Sequence, residues 1–214
     1  MALWLPDDRL IVTAAPGTAS TSLLEALSTE PGATVVPARD VIVDGVTVVD
    51  QKHATVNALT NAGLFELGPG VRIVTTVRNP FDFWPSEWER TRHRWVGELR
   101  NPESWVYQQA GMVDRIVDAV ELPFETWVVR ALAEDLAQGA VRHLNAGHVA
   151  EADVVLRLEH LAGDVTALLG RPLAIPHRNR TVARRPYWQY YDAAARRAVA
   201  TVFAPTLDRF DYRF

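Results

Sequence analysis

The chain has 214 residues, 48% of them hydrophobic and 22% charged, which is enough to bury the core of one compact domain and too apolar for a disordered chain. The absence of cysteine excludes disulfides, thiolate catalysis and cysteine-based metal sites. A formal net charge of −4 argues against a general nucleic-acid binder, and of the 22 basic residues every one but Lys52 is arginine, a bias that a GC-rich genome produces without functional cause.

No apolar run approaches the roughly 20 residues needed to cross a bilayer. Residues 1–8 lack the basic and long apolar regions of a signal peptide, so the expectation is a soluble, cytoplasmic protein. The first predicted element is a buried strand at Arg9 to Thr13, followed by the small-residue loop Ala14-Ala15-Pro16-Gly17 and a helix entered through Thr18 to Ser22. A second strand is predicted at Ala33 to Val36. Residues 41–49 alternate around Asp44-Gly45 and predict a two-residue hairpin. A helix is expected from His53 to about Leu67 with Val56 and Leu59 inward. A further apolar strand runs from Val71 to Val77, and beyond it Phe81, Trp84, Trp88 and Trp95 fall at helical spacing.

The middle of the chain predicts helices from about Glu103 to Val120 and from Phe124 to about Gln138. Ala152 to Leu158 is the last predicted strand, followed by a helix ending near Gly170 and a terminal helix from Tyr187 to about Phe203. Strands separated by helices predict an α/β fold, a three-layer sandwich with a mostly parallel central sheet, in a single domain spanning 1–214. Ligands of such sheets bind beyond the carboxyl ends of the strands, which directs attention to 14–22, 50–53 and 78–86.

The loop from Pro16 to Ser22 combines small and hydroxyl residues with a helix start, where exposed backbone N–H groups and the helix dipole suit a phosphate. The same residues also fit a capping box, Ser22-Leu23-Leu24-Glu25, opening an ordinary helix. G-x-x-x-x-G-K-[ST] is absent. Arg78 leaves a strand end and Ser86 follows about two helical turns later, a pair suited either to a phosphate or to a polar surface.

Taken in order, the two segments resemble the sulfotransferases that use 3′-phosphoadenosine-5′-phosphosulfate (PAPS), in particular the carbohydrate-type and bacterial members. Pro16-Gly17-Thr18-Ala19-Ser20-Thr21-Ser22-Leu23 lies on their P-K-T-G-T-T-S-L loop, and Arg78 to Ser86 lies on R-[DN]-P-x-x-R-x-x-S. Val154 to Leu161 is similar to their strand and E-x-L segment, and the tail from Asn179 to Phe214, ending Leu207 to Phe214, to their terminal helix and F-G-Y close. The resemblance implies a P-loop-like phosphate-binding strand–loop–helix. It implies PAPS as co-substrate and 3′-phosphoadenosine-5′-phosphate (PAP) as product, bound by Gly17, Thr18, Ala19, Ser20, Thr21, Ser22, Arg78 and Ser86. Arg178 and Arg180, in a basic run before the terminal helix, would add contacts to the 3′-phosphate; a solvated basic loop fits them equally. Two residues depart from the pattern: Gly17 replaces the loop lysine and Phe83 replaces the second motif arginine.

Sulfuryl transfer needs alignment, positive charge on the departing phosphate and a base for the acceptor's proton. Of the six histidines, His53 stands apart because it follows Val48-Val49-Asp50 at a strand end, in Gln51-Lys52-His53, which matches the family's K-H version. His53 is therefore the expected general base and Lys52 the expected substitute for the loop lysine. Alternatively, both residues simply begin a helix. Arg90, Arg92, His93 and Arg94 form a wet helix face, and Trp84, Trp88 and Trp95 are expected in the core. No His, Asp and Glu cluster has metal-ligand spacing. The expected partner is a small-molecule or carbohydrate acceptor, with no membrane and no nucleic acid. Two other readings stay open: a nucleotide or small-molecule kinase, and an inactive sulfotransferase homologue that binds only nucleotide.

Overall fold

Leu10–Thr13 and Arg72–Val77 are short runs rich in aliphatic and β-branched residues, buried almost throughout, and they pair in parallel. The computed structural model describes residues 1–137, 146–176 and 185–214. In chain order the strands are β1 (Ala2–Leu5), β2 (Leu10–Thr13), β3 (Thr34–Val36), β4 (Val41–Val43), β5 (Val46–Val49), β6 (Arg72–Val77) and β7 (Val154–Arg157). The helices are α1 (Ser20–Leu27), α2 (Val56–Asn61), α3 (Pro80–His93), α4 (Trp105–Gln108) and α5 (Met112–Glu121). They continue with α6 (Phe124–Ala137), α7 (Ala146–Glu151), α8 (Leu161–Leu169), α9 (Ala193–Val202) and α10 (Ala204–Phe210). These elements form two compact units: the first comprises 1–78 and 146–176, the second 79–137 and 185–214.

The first unit is α/β. Its five-stranded sheet has the order β3-β1-β2-β6-β7. β2, β6 and β7 are parallel, whereas β1 runs antiparallel to both β2 and β3, so the sheet is mixed. β1 was not expected: Ala2 to Leu5 is only four residues long and ends at Pro6, too short a run for periodicity to mark. Alternation along the strands sends Leu3, Leu5, Leu10, Val12, Val74 and Leu156 to one face, against Leu23, Leu24 and Leu27 of α1 and Val165 of α8. Ala2, Ile11 and Ile73 face the other way, toward Val56 and Leu59 of α2. The expected hairpin forms as β4 and β5, with Asp44 (φ 51°) and Gly45 (φ 78°) both left-handed as a two-residue turn requires. α2 is shorter than expected. Thr55 caps its start by accepting from the Ala58 N–H, and Gly63 at φ 66° follows its end.

The second unit is helical. Asn79 caps α3 by accepting from the Phe81 N–H, and Pro80 occupies the first helical position. Trp84 and Trp88 are buried, Trp84 stacking edge-on to Trp127 at 5.8 Å and to Phe203 at 6.1 Å. Trp95 lies beyond the helix in a 3₁₀ turn, half-buried rather than on the same apolar stripe. The single helix expected over 103–120 is two, interrupted at Gly111 with φ 73°. The span expected as a terminal helix, 187–203, is a 3₁₀ turn at Tyr187–Tyr190 followed by α9, which Asp192 caps; α10 follows beyond it with Pro205 in its first turn. No helix among the described residues is long and apolar enough to cross a membrane.

Candidate functional site

The parallel strands β2 and β6 put two chain exits on one edge of the sheet, Ala14 after Thr13 and Arg78 after Val77. Threonines tie these ends together. Thr13 Oγ1 donates to Thr75 Oγ1 at 3.1 Å, and Thr18 and Thr76 share a short hydroxyl–hydroxyl hydrogen bond.

The chain then turns sharply into α1. Gly17 (φ 73°) and Ala19 (φ 60°) are both left-handed, flanking Thr18. For alanine that conformation costs roughly 1 kcal/mol, so the surrounding contacts must impose it. Two of them do: Thr18 Oγ1 and Ser20 Oγ both donate to the Ala15 carbonyl, at 2.8 and 2.9 Å. The hydroxyl protons expected to face outward are therefore engaged beneath the loop. The capping-box alternative also fails, because α1 starts at Ser20 with Ala19 as N-cap and no side chain caps it. As a result, the backbone N–H groups of Gly17, Thr18, Ala19, Ser20 and Thr21 donate no hydrogen bond among the described residues. Consecutive N–H groups across a turn with two left-handed residues, at the positive end of a helix, suit an anion. Ser22 is buried within the first turn, and the Thr21 side chain is exposed.

Arg78 reaches this loop from β6, its Nη1 donating to the Gly17 carbonyl at 3.3 Å. The turn at 50–53 reaches it from the hairpin. The Gln51 N–H donates to Asp40 Oδ1 and the Lys52 N–H to Asp50 Oδ1, both at 2.7 Å, which fixes the turn. Lys52 is exposed, and its ammonium makes no ion pair among the described residues. The His53 ring turns inward, with Nδ1 at 2.9 Å from the Ala14 carbonyl. A carbonyl can only accept, so Nδ1 carries the proton and Nε2 holds the lone pair. Burial lowers the His53 pKa below its ordinary 6.5, partly offset by the Ala14 carbonyl and the Asp50 carboxylate. The ring is accordingly a neutral base at pH 7.

The first unit thus brings together 17–22, Arg78, Lys52 and His53. Ser86 is buried on α3 in the second unit. Arg178 and Arg180 lie outside the described residues. One neighbour was missed in the sequence. His148, on α7, is only 6% exposed, and His53 and the Met1 amino group are among the charges acting on it. Burial, with the charges of His53 and the Met1 amino group, pushes its pKa down to about 4.

His148 has a consequence for stability. Between pH 6.5 and about 4 the unfolded chain takes up a proton that the folded chain does not, so stability falls on acidification, by about 3 kcal/mol over that window. Urea unfolding as a function of pH checks this: His148→Gln removes most of the loss, and an unchanged pH slope contradicts it.

Comparison with protein-family models, with curated proteins and with solved structures finds no match.

Proposed function

We propose that the protein is a PAPS-dependent sulfotransferase whose three-layer α/β sandwich holds the nucleotide's 5′-phosphosulfate on a P-loop-like turn. The observation that carries this reading is the unpaired N–H cradle of residues 17–21, with Arg78 against it and the His53 lone pair on the same sheet edge. An anion site, a cation and a neutral base together meet the needs of group transfer to a hydroxyl or amine. The co-substrate is PAPS and the product PAP; the acceptor is a small molecule or carbohydrate.

In the reaction the acceptor oxygen attacks sulfur while the bond from sulfur to the bridging phosphate oxygen breaks. The sulfuryl group moves to the acceptor, and PAP departs with the electron pair of the broken bond. His53 Nε2 takes the acceptor's proton. Nδ1 stays bonded to Ala14, so the imidazolium that forms keeps its orientation. The N–H groups of 17–21 hold the negative charge gathering on the leaving phosphate. Thr18 and Ser20 serve through their backbone, since their hydroxyls hold the turn in shape. Lys52, an exposed ammonium one residue from His53, replaces the charge that a loop lysine would supply where Gly17 stands.

Two substitutions test the reading in parts. Arg78→Ala weakens PAP binding by about 10- to 100-fold in a calorimetric titration, the value of a charge-assisted hydrogen-bond set. Arg78→Lys recovers only part of it, because an ammonium cannot offer the planar fork. Unchanged affinity in both removes Arg78 from the site. Lys52→Ala lowers turnover by about 100-fold whereas Lys52→Arg retains most of it; equal turnover in the two removes Lys52 from the mechanism.

A further inference from the structure

The hairpin of β4 and β5 forms a two-stranded sheet of its own. Its base is anchored: Val49 is buried and Val41 half-buried against the cluster of Ala2, Ile11 and Ile73. Beyond that base, Ile42, Val43, Val46 and Val48 are each more than half exposed. Aliphatic groups held together in water cost free energy, and a contiguous set of them marks an interaction surface.

The ribbon also has an open edge. Its two-residue turn makes Val43 and Val46 a hydrogen-bonded pair, so the next pair, Ile42 and Thr47, directs its N–H and C=O groups outward. No third strand joins β5 among the described residues. Proteins commonly blunt such edges with proline, lysine or other charged residues. β3, at the edge of the main sheet, is three residues long and runs into Pro37. β5, Val46-Thr47-Val48-Val49, has neither a proline nor a charge. Its irregularity is the bulge that shifts the register near Val48, which confines the open stretch to Thr47 and its neighbours.

This edge is complementary to itself. Two β5 strands related by a two-fold axis at Thr47 run antiparallel, and the two Thr47 residues exchange N–H to C=O bonds in both directions. The same register sets Val46 of each copy opposite the partner's Val48, in the close pairs where apolar side chains meet best. Val43 lies across from Val46 on its own ribbon, so three valines from each copy share one face. The charges around the ribbon nearly balance, with Arg39 and Lys52 against Asp40, Asp44 and Asp50. Asp44 and the partner's Asp50 come level only past the ends of the register, both exposed, where like charges cost little. A nucleic acid or an anionic membrane surface would instead meet a net negative ribbon.

We propose that the protein is a two-fold dimer in which β5 of each copy pairs with β5 of the other, making one antiparallel four-stranded sheet centred on Thr47. The dimer stands or falls independently of the sulfotransferase reading.

Sedimentation equilibrium of the full chain tests it. The wild type is expected at twice its chain mass of 23.8 kDa in the micromolar range; a monomer at every concentration up to about 100 μM overturns the proposal. Thr47→Pro removes the outward N–H and leaves the β4–β5 ladder intact. It raises the dimer dissociation constant by about 10-fold or more, because both symmetric bonds are lost. Val46→Lys sets a cation against the partner's Val48 at two places and acts by a similar factor. If Thr47→Pro does not fold, Val46→Lys decides, since Val46 is exposed in the single chain. Unchanged association in the folded variants overturns the proposal. The absence of native cysteine lets single substitutions report the register. Thr47→Cys brings two Cα atoms to about 5.5 Å, within disulfide reach, whereas Ile42→Cys leaves them roughly 14 Å apart, three strand spacings. A mild oxidant therefore links Thr47→Cys into a covalent dimer and leaves Ile42→Cys unlinked. Equal linking in the two, or none in Thr47→Cys, overturns the pairing.

Discussion

His53→Ala lowers sulfuryl transfer from PAPS by about 10²- to 10⁴-fold, the contribution of a positioned general base, and leaves PAP affinity within about twofold. On the proposed reading the two effects separate, because His53 would meet the acceptor's proton while the backbone of 17–21 would hold the phosphate; its Nδ1 is committed to Ala14. The acid limb of the rate profile is fixed by the same ring. Burial holds the His53 pKa below 6.5, so the base form is already complete at pH 7, and turnover declines only as pH falls through the lowered pKa. A profile that keeps rising through pH 7 to 8 would assign the proton to another group. Full turnover in His53→Ala would remove this residue from the chemistry altogether.

Asp135→Ala destabilises the protein by about 3 to 5 kcal/mol, the usual loss on breaking a buried ion pair from one side. Arg115 and Asp135 are 8% and 1% exposed, and Nη2 lies 2.6 Å from Oδ1. The guanidinium cannot discharge itself by losing a proton, so without Asp135 a buried cation keeps only the Ala131 carbonyl at 3.0 Å and Glu134 at 3.9 Å. Arg115 also fixes the interior through its own carbonyl, which accepts from Trp127 Nε1 at 3.2 Å. Urea unfolding followed by tryptophan fluorescence measures the change. The double substitution Arg115→Met with Asp135→Leu recovers most of the loss, because no charge is then left buried. A loss below about 1 kcal/mol in Asp135→Ala contradicts the account of this pair.

Sequence and structure agree where a residue's local chemistry settles its conformation. Asp44-Gly45 can take two left-handed residues in succession, which makes the hairpin legible. β2 and β6 read as buried strands because every position on them is apolar or β-branched except Arg72 at the edge. The loop after β2 was legible as a turn but not in its detail. Nothing in Thr18 or Ser20 says that both hydroxyls will choose the Ala15 carbonyl, or that Ala19 will accept a left-handed backbone, and the Thr18 bond to Thr76 comes from a strand far along the chain. Helices were overextended where periodicity continued past a local breaker: Gly63 after α2 and Gly111 before α5 were both visible in the sequence. His148 was hidden for a different reason. Its helix is six residues long, too short for an apolar stripe, and its burial comes from long-range packing against distant elements, β6 among them.

If the turn from Gly17 to Thr21, backed by Arg78, is the phosphate cradle of a PAPS-dependent enzyme as proposed, calorimetry distinguishes its nucleotide. The wild-type chain is titrated with PAP and, separately, with ATP and Mg²⁺. Saturable binding of PAP, lost or strongly weakened in Arg78→Ala and much tighter than that of ATP, is the expected result; no binding of PAP, or a clear preference for ATP with Mg²⁺, contradicts the account.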